Sequence, residues 1–178
     1  VSGCNGHMGR SVVGICANTS DVEVVAGFNR TAVSRDGFPV YSDPMEYAGE
    51  ADVVIDFSNP ANLTSLLNYS VERQVPIVLC TTGYSAEQLA EIEEAAKKVP
   101  VFKSGNMSLG VYLMLHLVRR AAAVLGADFD VEIVERHHRR KVDAPSGTAL
   151  TIAEAAAGGL PYEPELKFER HSVRQPRG

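Results

Sequence analysis

Short apolar segments alternate with helical patterns through the first part of the chain, and this alternation constrains the fold most. Near-continuous apolar stretches, typical of buried strands, occupy residues 22–27, 51–57, 75–80 and 99–103. A helical pattern follows the glycine-rich start of the chain, with apolar residues at Val12, Val13, Ile15 and Cys16. Two further helices are predicted over residues 59–73 and 85–98. Strands that alternate with helices imply right-handed βαβ crossovers and a parallel sheet covered on both faces. We therefore predict a doubly wound α/β domain over residues 1–108.

A different pattern begins after residue 108. A long amphipathic helix is expected first, and residues 129–135 then alternate apolar and polar with a period of two, which is typical of a half-exposed strand. We predict a second, smaller α+β domain over residues 109–178. Its last residues, 169–178, are polar and basic, so we expect this domain to be incomplete at its C-terminal end. Val1 leaves almost no strand ahead of the first glycine turn, so preceding residues are expected as well.

A glycine-rich loop opens the chain with the spacing Gly3-x-x-Gly6-x-x-Gly9. Glycines at such positions let backbone amides approach a pyrophosphate at the positive N-terminus of the following helix. The spacing differs from the commonest dinucleotide fingerprint, GxGxxG, and a glycine-rich surface turn is the plain alternative. The place of the loop at the start of an α/β pattern favours nucleotide binding.

The residues after the strand predicted at 22–27 bear on which nucleotide is bound. An acidic residue there would accept a hydrogen bond from the ribose 2′-hydroxyl of NADH, but the sequence has Asn29 and Arg30. Arginine can pair with a 2′-phosphate, so we expect NADPH to bind at least as well as NADH. The alternative is that Arg30 is a solvated surface charge.

Polar residues follow three further predicted strands, at the carboxyl ends where doubly wound sheets bind ligands. Each group alone is compatible with an ordinary polar loop. Together they are predicted to line the nicotinamide half of the cofactor site. They are Phe57 and Ser58; Cys80, Thr81 and Thr82; and Ser104, Gly105, Asn106 and Met107.

Composition narrows the class of protein. The 178 residues carry 17 Lys and Arg against 22 Asp and Glu, and the formal charge of −5 argues against nucleic acid or an anionic membrane as partner. No apolar run of membrane-spanning length and no signal peptide are recognised, so a cytoplasmic location is expected. The three cysteines form no CxxC pair and are predicted to be reduced thiols.

Residues 132–149 contain most of the side chains suited to proton transfer. In this segment His137, His138 and Lys141 precede the run Pro145-Ser146-Gly147-Thr148. As a nucleic-acid patch the basic stretch is too short. As a metal site it lacks cysteine or carboxylate partners at usable spacing, and adjacent histidines on an extended segment point to opposite sides. A solvated run of charges is the strongest alternative. However, the following run predicts a helix N-cap, whose free amides bind carboxylate or phosphate beside these proton donors.

Residues 132–149 resemble the signature of the 4-hydroxy-tetrahydrodipicolinate reductase (dihydrodipicolinate reductase) family, NAD(P)H enzymes of lysine and diaminopimelate synthesis. The agreement extends to the glycine loop and to residues 56–58, 81–83 and 106–111, so it covers nearly the whole chain. The resemblance implies a Rossmann-like cofactor domain, a substrate and oligomerisation domain, and hydride transfer to a cyclic, imine-like dicarboxylate. It also implies a homotetramer, which an incomplete second domain would alter.

The resemblance further implies the role of each matching residue. His137 would be the acid/base residue and Lys141 the proton donor. The substrate would be bound by His138, Ser146, Gly147, Thr148 and, from the cofactor domain, Thr82. NADPH or NADH would be held by Gly3, Cys4, Asn5, Gly6, His7, Met8, Asn29, Arg30, Phe57, Cys80, Thr81, Thr82, Ser104, Gly105, Asn106 and Met107.

Two positions depart from the family pattern. Cys80 stands where glycine is usual, and Asn29 stands where an acidic residue is common. The family also continues well beyond residue 178. The alternative to a working reductase is therefore a truncated nucleotide-binding protein with weak or no catalytic activity. No metal site is expected.

Overall fold

The structure, a computed structural model, describes residues 1–34, 36–139, 141 and 144–168. It divides into two compact units, unit 1 at Val1–Gly105 and unit 2 at Asn106–Gly178. The predicted features at residues 169–178 lie outside the described residues.

Unit 1 is built on parallel strands that alternate with helices. Its elements, in chain order, are α1 at His7–Cys16, β1 at Gly27–Phe28, β2 at Val40–Tyr41, β3 at Val54–Asp56, α2 at Leu63–Arg73, β4 at Ile77–Leu79, α3 at Ala86–Ala96 and β5 at Val101–Lys103. One 3₁₀ turn, Pro44–Glu46, follows β2, and a second, Pro60–Asn62, leads into α2. Apart from the extent of the strands, the predicted alternation of strands and helices is confirmed.

The first residues of the chain lie at the centre of the sheet. β1 pairs with β2, and β3, β4 and β5 pair in that order. Ser2 forms parallel bridges with both Phe28 and Asp56, which joins the two ladders. The order is therefore β2, β1, the segment at Ser2, β3, β4, β5. Because the chain moves from its central segment toward one edge and then crosses to the other, the sheet is doubly wound and has a switch point beside Ser2.

The strand predicted at residues 22–27 is wrong in its extent. Only Gly27 of that stretch is in a strand, and β1 continues to Phe28 instead. The ladder there is short: the N-terminal amine of Val1 donates to Ala26 O at 2.8 Å, and the Phe28 amide donates to Val1 O at 2.9 Å. Residues 22–25 have no strand partner among the described residues, and an apolar run without a ladder partner does not form a strand.

One apolar cluster fixes α2 and α3 on the sheet, and a second, with Val13 of α1, packs beside it in unit 1. Leu63 and Leu66 of α2 are buried against Ile77 and Leu79 of β4 in the first cluster. Tyr69, also on α2, packs its ring edge-to-face with that of Phe28 at 5.6 Å between centroids. These contacts come from the apolar face that the sequence predicts for residues 59–73.

The start of α3 has the predicted capping box. The Ser85 hydroxyl accepts from the Gln88 amide at 3.3 Å, and the Gln88 side chain accepts from the Ser85 amide at 3.0 Å. Each bond satisfies an amide that the helix itself leaves without an acceptor. The capping residues therefore set the first residue of α3.

Unit 2 contains two α-helices, α4 at Leu109–Leu125 and α5 at Gly147–Ala157, among its described residues, and a 3₁₀ turn, Gly126–Asp128, follows α4. They pack closely through small residues: Ala122 and Ala156 are buried, and a Cβ on Gly159 would lie 2.2 Å from the Arg119 carbonyl oxygen. Ser108 caps α4 by accepting from the Val111 amide at 3.4 Å. The predicted long helix is confirmed.

The strand predicted at residues 129–135 is not formed. This stretch has no regular secondary structure, and its apolar side chains are exposed, Val134 by 87%. A strand exists only where a neighbour completes its hydrogen-bond ladder, and the described residues of unit 2 contain no such neighbour. The alternation of apolar and polar residues was therefore not enough to predict a strand at residues 129–135.

The expectation that no apolar run reaches membrane-spanning length is wrong for α4. Together with the turn that follows, Leu109–Asp128 is 20 residues long with a mean hydropathy of 1.4, enough to cross a membrane by length and composition. One such helix is weak evidence, because apolar helices of soluble proteins pass the same test.

Candidate cofactor and substrate sites

The glycine loop at the start of unit 1 is too tight for side chains at two positions. Gly3 has a φ of 72°, and a Cβ on it would lie 2.4 Å from the Phe57 carbonyl oxygen. A Cβ on Gly9 would lie 2.1 Å from the Gly3 carbonyl oxygen. The Gly6 amide closes the turn by donating to Gly3 O at 2.8 Å. The backbone of the loop therefore lies directly against both α1 and the segment after β3.

The first turn of α1 presents unused backbone donors. Gly6 is the N-cap and has no side chain to accept from them, and the turn contains no acidic residue. Among the described residues, the amides of His7, Met8 and Gly9 have no acceptor. Amides of this kind, at the positive end of the helix dipole, bind phosphate groups.

Asp56, at the carboxyl end of β3, ties two loops of unit 1 together. It is buried and accepts from the Thr81 hydroxyl at 2.7 Å and from the Ser58 amide at 3.1 Å. The Thr81 oxygen also accepts from the Ser58 amide at 3.0 Å. The Tyr84 hydroxyl is 3.5 Å from Asp56, and burial, followed by the nearby Asp56 charge, raises the pKa of Tyr84 so that it remains a donor. The loops after β3 and β4 are thus held in one arrangement.

A buried hydroxyl beside the glycine loop has no partner in the described part of the chain. The Oγ of Ser58 is inaccessible to solvent and makes no hydrogen bond there. The Cα of the same residue would be 3.0 Å from a Cβ on Gly3, so the hydroxyl belongs to the immediate surroundings of the loop. An orphaned polar atom, a loop that excludes Cβ atoms and three free amides together fit a dinucleotide phosphate.

Other residues predicted to hold the cofactor lie at the same end of the sheet. Asn5 donates to Val33 O at 3.1 Å, which links the glycine loop to the segment after β1. Asn29 donates to the carbonyl and hydroxyl oxygens of Thr31 at 3.2 and 3.1 Å, so it stabilises its own turn, and Arg30 is exposed.

The ends of β4 and β5 are also close. A Cβ on Gly105 would lie 3.0 Å from Cγ2 of Thr82, and the Ser104 amide donates to Leu79 O at 3.0 Å. Cys80 is buried, and burial, followed by the Asp56 charge, raises the pKa of its thiol. Of the predicted cofactor residues, Asn106 and Met107 fall in unit 2.

In unit 2, one carboxylate connects a histidine of the basic loop with the start of a helix. Oε2 of Glu135 is 2.7 Å from Nε2 of His137, and Oε1 accepts from the Ser146 amide at 2.9 Å. The hydrogen bonds from Ser146, through its hydroxyl and its amide, and then the contact with His137 lower the pKa of Glu135 to about 2. Glu135 is therefore ionised at neutral pH.

The N-terminus of α5 retains free donors beside this carboxylate. Ser146 is the N-cap, and its hydroxyl accepts from the Ala149 amide at 3.1 Å. Within the described chain, the amides of Gly147 and Thr148 have no acceptor. Asn106 donates to the Thr148 hydroxyl at 3.3 Å. This helix end can receive a carboxylate.

The remaining residues of the basic loop are described only in part. The Lys141 amide donates to the His138 carbonyl oxygen at 3.1 Å, which closes a turn between them. Residues 140, 142 and 143 lie outside the described chain. No group of three His, Cys, Asp or Glu side chains suited to a metal ion occurs among the residues that are described.

Comparison with known protein families assigns both units. The family model described as "Dihydrodipicolinate reductase, N-terminus" matches residues 1–107, and that described as "Dihydrodipicolinate reductase, C-terminus" matches residues 110–177. The chain belongs to the dihydrodipicolinate reductase family. The predicted family, and with it the class of reductase, is confirmed.

Similar proteins agree with this assignment. The chain is 45% identical over 174 residues to 4-hydroxy-tetrahydrodipicolinate reductase of Clostridium tetani, covering 97% of this chain and 68% of that protein. It is 46% identical over 177 residues to the protein of the same name from Caldanaerobacter subterraneus, covering 99% and 70%. A solved structure, "Dipicolinate bound Dihydrodipicolinate reductase from Paenisporosarcina sp. TG-14", superposes with a TM-score of 0.74 at 27% identity, covering 98% and 69%. The predicted α/β fold class is confirmed.

Two residues of this dihydrodipicolinate reductase family member were not singled out from the sequence as functional. No role is predicted for Glu135 from the sequence, and Asp56 is placed in a strand and in a stretch that resembles the family without being given a function. A signal for Glu135 was present, because side chains two residues apart on an extended segment share a face, which pairs it with His137. No comparable signal reveals the contact between Asp56 and Thr81, since 25 residues separate them.

Proposed function

We propose that this chain reduces 4-hydroxy-tetrahydrodipicolinate (dihydrodipicolinate) to tetrahydrodipicolinate in lysine and diaminopimelate synthesis, in the cytoplasm. The observation that carries the proposal is the link, through Glu135, between His137 and the open N-terminus of α5. A proton-transfer group and a carboxylate-binding helix end are thereby held together, as reduction of a dicarboxylate requires. The names of the relatives support the same reaction.

The proposed cofactor is NADPH or NADH, bound by unit 1. Its pyrophosphate would meet the free amides of His7 and Met8 and the backbone of the glycine loop, together with the orphaned Ser58 hydroxyl. Bound there, the dinucleotide supplies the hydride. The proposed cofactor residues are Gly3, Cys4, Asn5, Gly6, His7, Met8, Asn29, Arg30, Phe57, Cys80, Thr81, Thr82, Ser104, Gly105, Asn106 and Met107.

The residues of unit 2 would bind the substrate and move its proton. The amides of Gly147 and Thr148 would receive a carboxylate, with His138, Ser146 and, from unit 1, Thr82 as further substrate-binding residues. Addition of a hydride leaves negative charge on the substrate. Lys141 would stabilise that charge and donate a proton from Nζ, and His137 would act as the acid/base residue. The exposed apolar side chains of unit 2 support an oligomer, for which a homotetramer is the proposed form.

Activity tests the proposal directly. We expect purified protein to oxidise NADPH or NADH when freshly prepared substrate is added, which is followed as the loss of nicotinamide absorbance. Protein that binds the cofactor fully but oxidises none of it would favour the alternative of a nucleotide-binding protein without activity. Residues 129–135, which lead into the basic loop, form no strand and expose their apolar side chains, and this observation favours the alternative.

The assigned roles predict how two variants behave. His137→Gln and Lys141→Ala should each lower kcat by roughly 100-fold or more, the usual contribution of a positioned proton-transfer group. Cofactor affinity should stay unchanged, because neither residue is among the proposed cofactor residues. Steady-state kinetics and a fluorescence titration with NADPH check these two expectations. Glu154→Gln, an exposed change on α5, is the control, and loss of NADPH binding in either test variant would contradict the roles.

A further inference from the structure

The carboxylate of Glu135 has a separate contact for each of its oxygens. Oε1 accepts from the Ser146 amide at 2.9 Å and Oε2 lies 2.7 Å from Nε2 of His137. Ser146 lies 11 positions after Glu135 in the sequence, whereas His137 lies 2 positions after it. One side chain therefore fixes the basic loop to Ser146, the N-cap of α5.

The negative charge of Glu135 determines which ring nitrogen of His137 carries a hydrogen. With its pKa lowered to about 2, the carboxyl group is ionised at neutral pH and can only accept hydrogen bonds. At 2.7 Å, the facing nitrogen of His137 must then be protonated. A neutral ring with hydrogen on Nε2 has its lone pair on Nδ1, and that nitrogen has no partner among the described residues.

The same contact can be made when the ring holds two protons. An imidazolium donates from both nitrogens, and an ionised carboxylate is a suitable acceptor for the Nε2 proton. The ring can then gain or release its second proton at Nδ1 without losing its position. A carboxylate that accepts from one ring nitrogen orients a catalytic histidine in this way in general.

We propose that Glu135 is a positioning residue, which holds His137 with hydrogen on Nε2, presents Nδ1 to the substrate and fixes the ring beside the N-terminus of α5. The proposal rests on the reaction assigned above and adds a residue to it. Glu135 itself would contact neither substrate nor cofactor. It would set the distance between the proton-transfer group and the amides that bind the carboxylate.

Glu135→Gln separates the two contacts. The Ser146 amide is a donor only, so the new side chain must turn its oxygen toward Ser146 and its NH₂ toward His137. The anchor to α5 is kept, while the ring now faces a donor and takes hydrogen on Nδ1 instead. We expect kcat to fall at least about tenfold, as when an orienting acceptor is lost, with the KM of the substrate within about threefold of the original.

Glu135→Ala removes both contacts and provides a second comparison. It should lower kcat and raise the KM of the substrate together, because the helix end is no longer tied to the loop. Cofactor affinity should remain unchanged in both variants. Glu154→Gln removes an exposed carboxylate from α5 and is the matched control for the loss of charge; its kcat and KM should equal those of the unaltered chain.

Nitrogen NMR of the histidine rings reads the hydrogen position without any turnover. The signals of His137 are assigned by their loss in His137→Gln. The unaltered protein should show hydrogen on Nε2 in the neutral ring, and Glu135→Gln should move it to Nδ1. Hydrogen on Nδ1 in the unaltered protein, or unchanged kcat in Glu135→Gln, would overturn the proposal. Failure of the assigned reaction is distinguishable, since the unaltered chain would then show no turnover while the NMR result still stands.

Discussion

Arg30 is the residue at which the choice between the two nicotinamide cofactors can be decided. It follows β1 at the carboxyl end of the sheet, is exposed, and stands next to Asn29, whose amide is used to hold Thr31. No acidic side chain of residues 28–31 can accept from a ribose 2′-hydroxyl, whereas a guanidinium can pair with a 2′-phosphate.

Arg30→Ala should therefore weaken the binding of NADPH more than the binding of NADH. We expect roughly a tenfold rise in the Kd of NADPH, which corresponds to about 1.4 kcal/mol and suits one charge-assisted contact at an exposed site. The Kd of NADH should change by less than about twofold on the same grounds. Titrations with each cofactor measure both values, and Arg73→Ala, an exposed change at the end of α2, is the control. Equal effects on the two cofactors would remove the phosphate-binding role.

For single residues, the sequence predicts a function for those that belong to a recognisable motif, but not for those that connect one motif to another. His137, Ser146 and the glycines were recognisable because their spacing alone indicates proton transfer, a helix cap or close backbone approach. Asp56 contacts Thr81, 25 positions along the chain, and Glu135 contacts Ser146, 11 positions along, in addition to its neighbour His137. Such contacts depend on how loops fold back, which residue type and spacing do not determine.

At the scale of elements, α1 contains two glycines in opposite situations. A Cβ on Gly9 would lie 2.1 Å from one backbone atom of the loop, whereas a Cβ on Gly14 would meet nothing within 4 Å. Backbone atoms cannot move aside as the end of a flexible side chain can, so the same substitution has opposite consequences at the two positions.

Gly9→Ala should destabilise unit 1 by about 1–3 kcal/mol, the usual effect of overpacking, and should weaken cofactor binding by displacing the loop. Gly14→Ala should leave binding unchanged and stabilise the protein by up to about 1 kcal/mol, because alanine favours an exposed helix position. Denaturant unfolding and NADPH titration of both variants provide the comparison. Equal stability of the two variants would mean that α1 is not held against Gly3 as described.

Helices were easier to predict than strands for a physical reason. The periodicity and capping residues of α2, α3 and α4 are local, so the sequence contains them in full. Strands depend on a partner: residues 22–27 keep only Gly27 in β1, β2 was not predicted at all, and residues 129–135 form no strand. Pairing with distant segments set these outcomes, and pattern alone does not contain it.

At the scale of the whole molecule, buried apolar side chains are distributed unequally between the units. Unit 1 has a core of large residues from α2, α3 and the sheet. In unit 2 the buried apolar residues among those described are Ala122, Ala149 and Ala156. On α4, by contrast, Leu109 is 79% exposed and Val124 is 69% exposed. Local stability follows such burial, since segments with few buried contacts open at low free-energy cost.

Hydrogen exchange should therefore differ between the units. At low protein concentration, amides of α4 and α5 are expected to exchange roughly 100-fold faster than those of α2 or β4, equivalent to a difference in opening free energy of about 2.7 kcal/mol. NADPH should add protection in the first turn of α1. If the exposed apolar face of α4 is covered by another chain in solution, its protection should rise with protein concentration, because association stabilises by mass action. Slow exchange in α4 at every concentration would contradict the prediction, since it would require a cover for that face within a single chain.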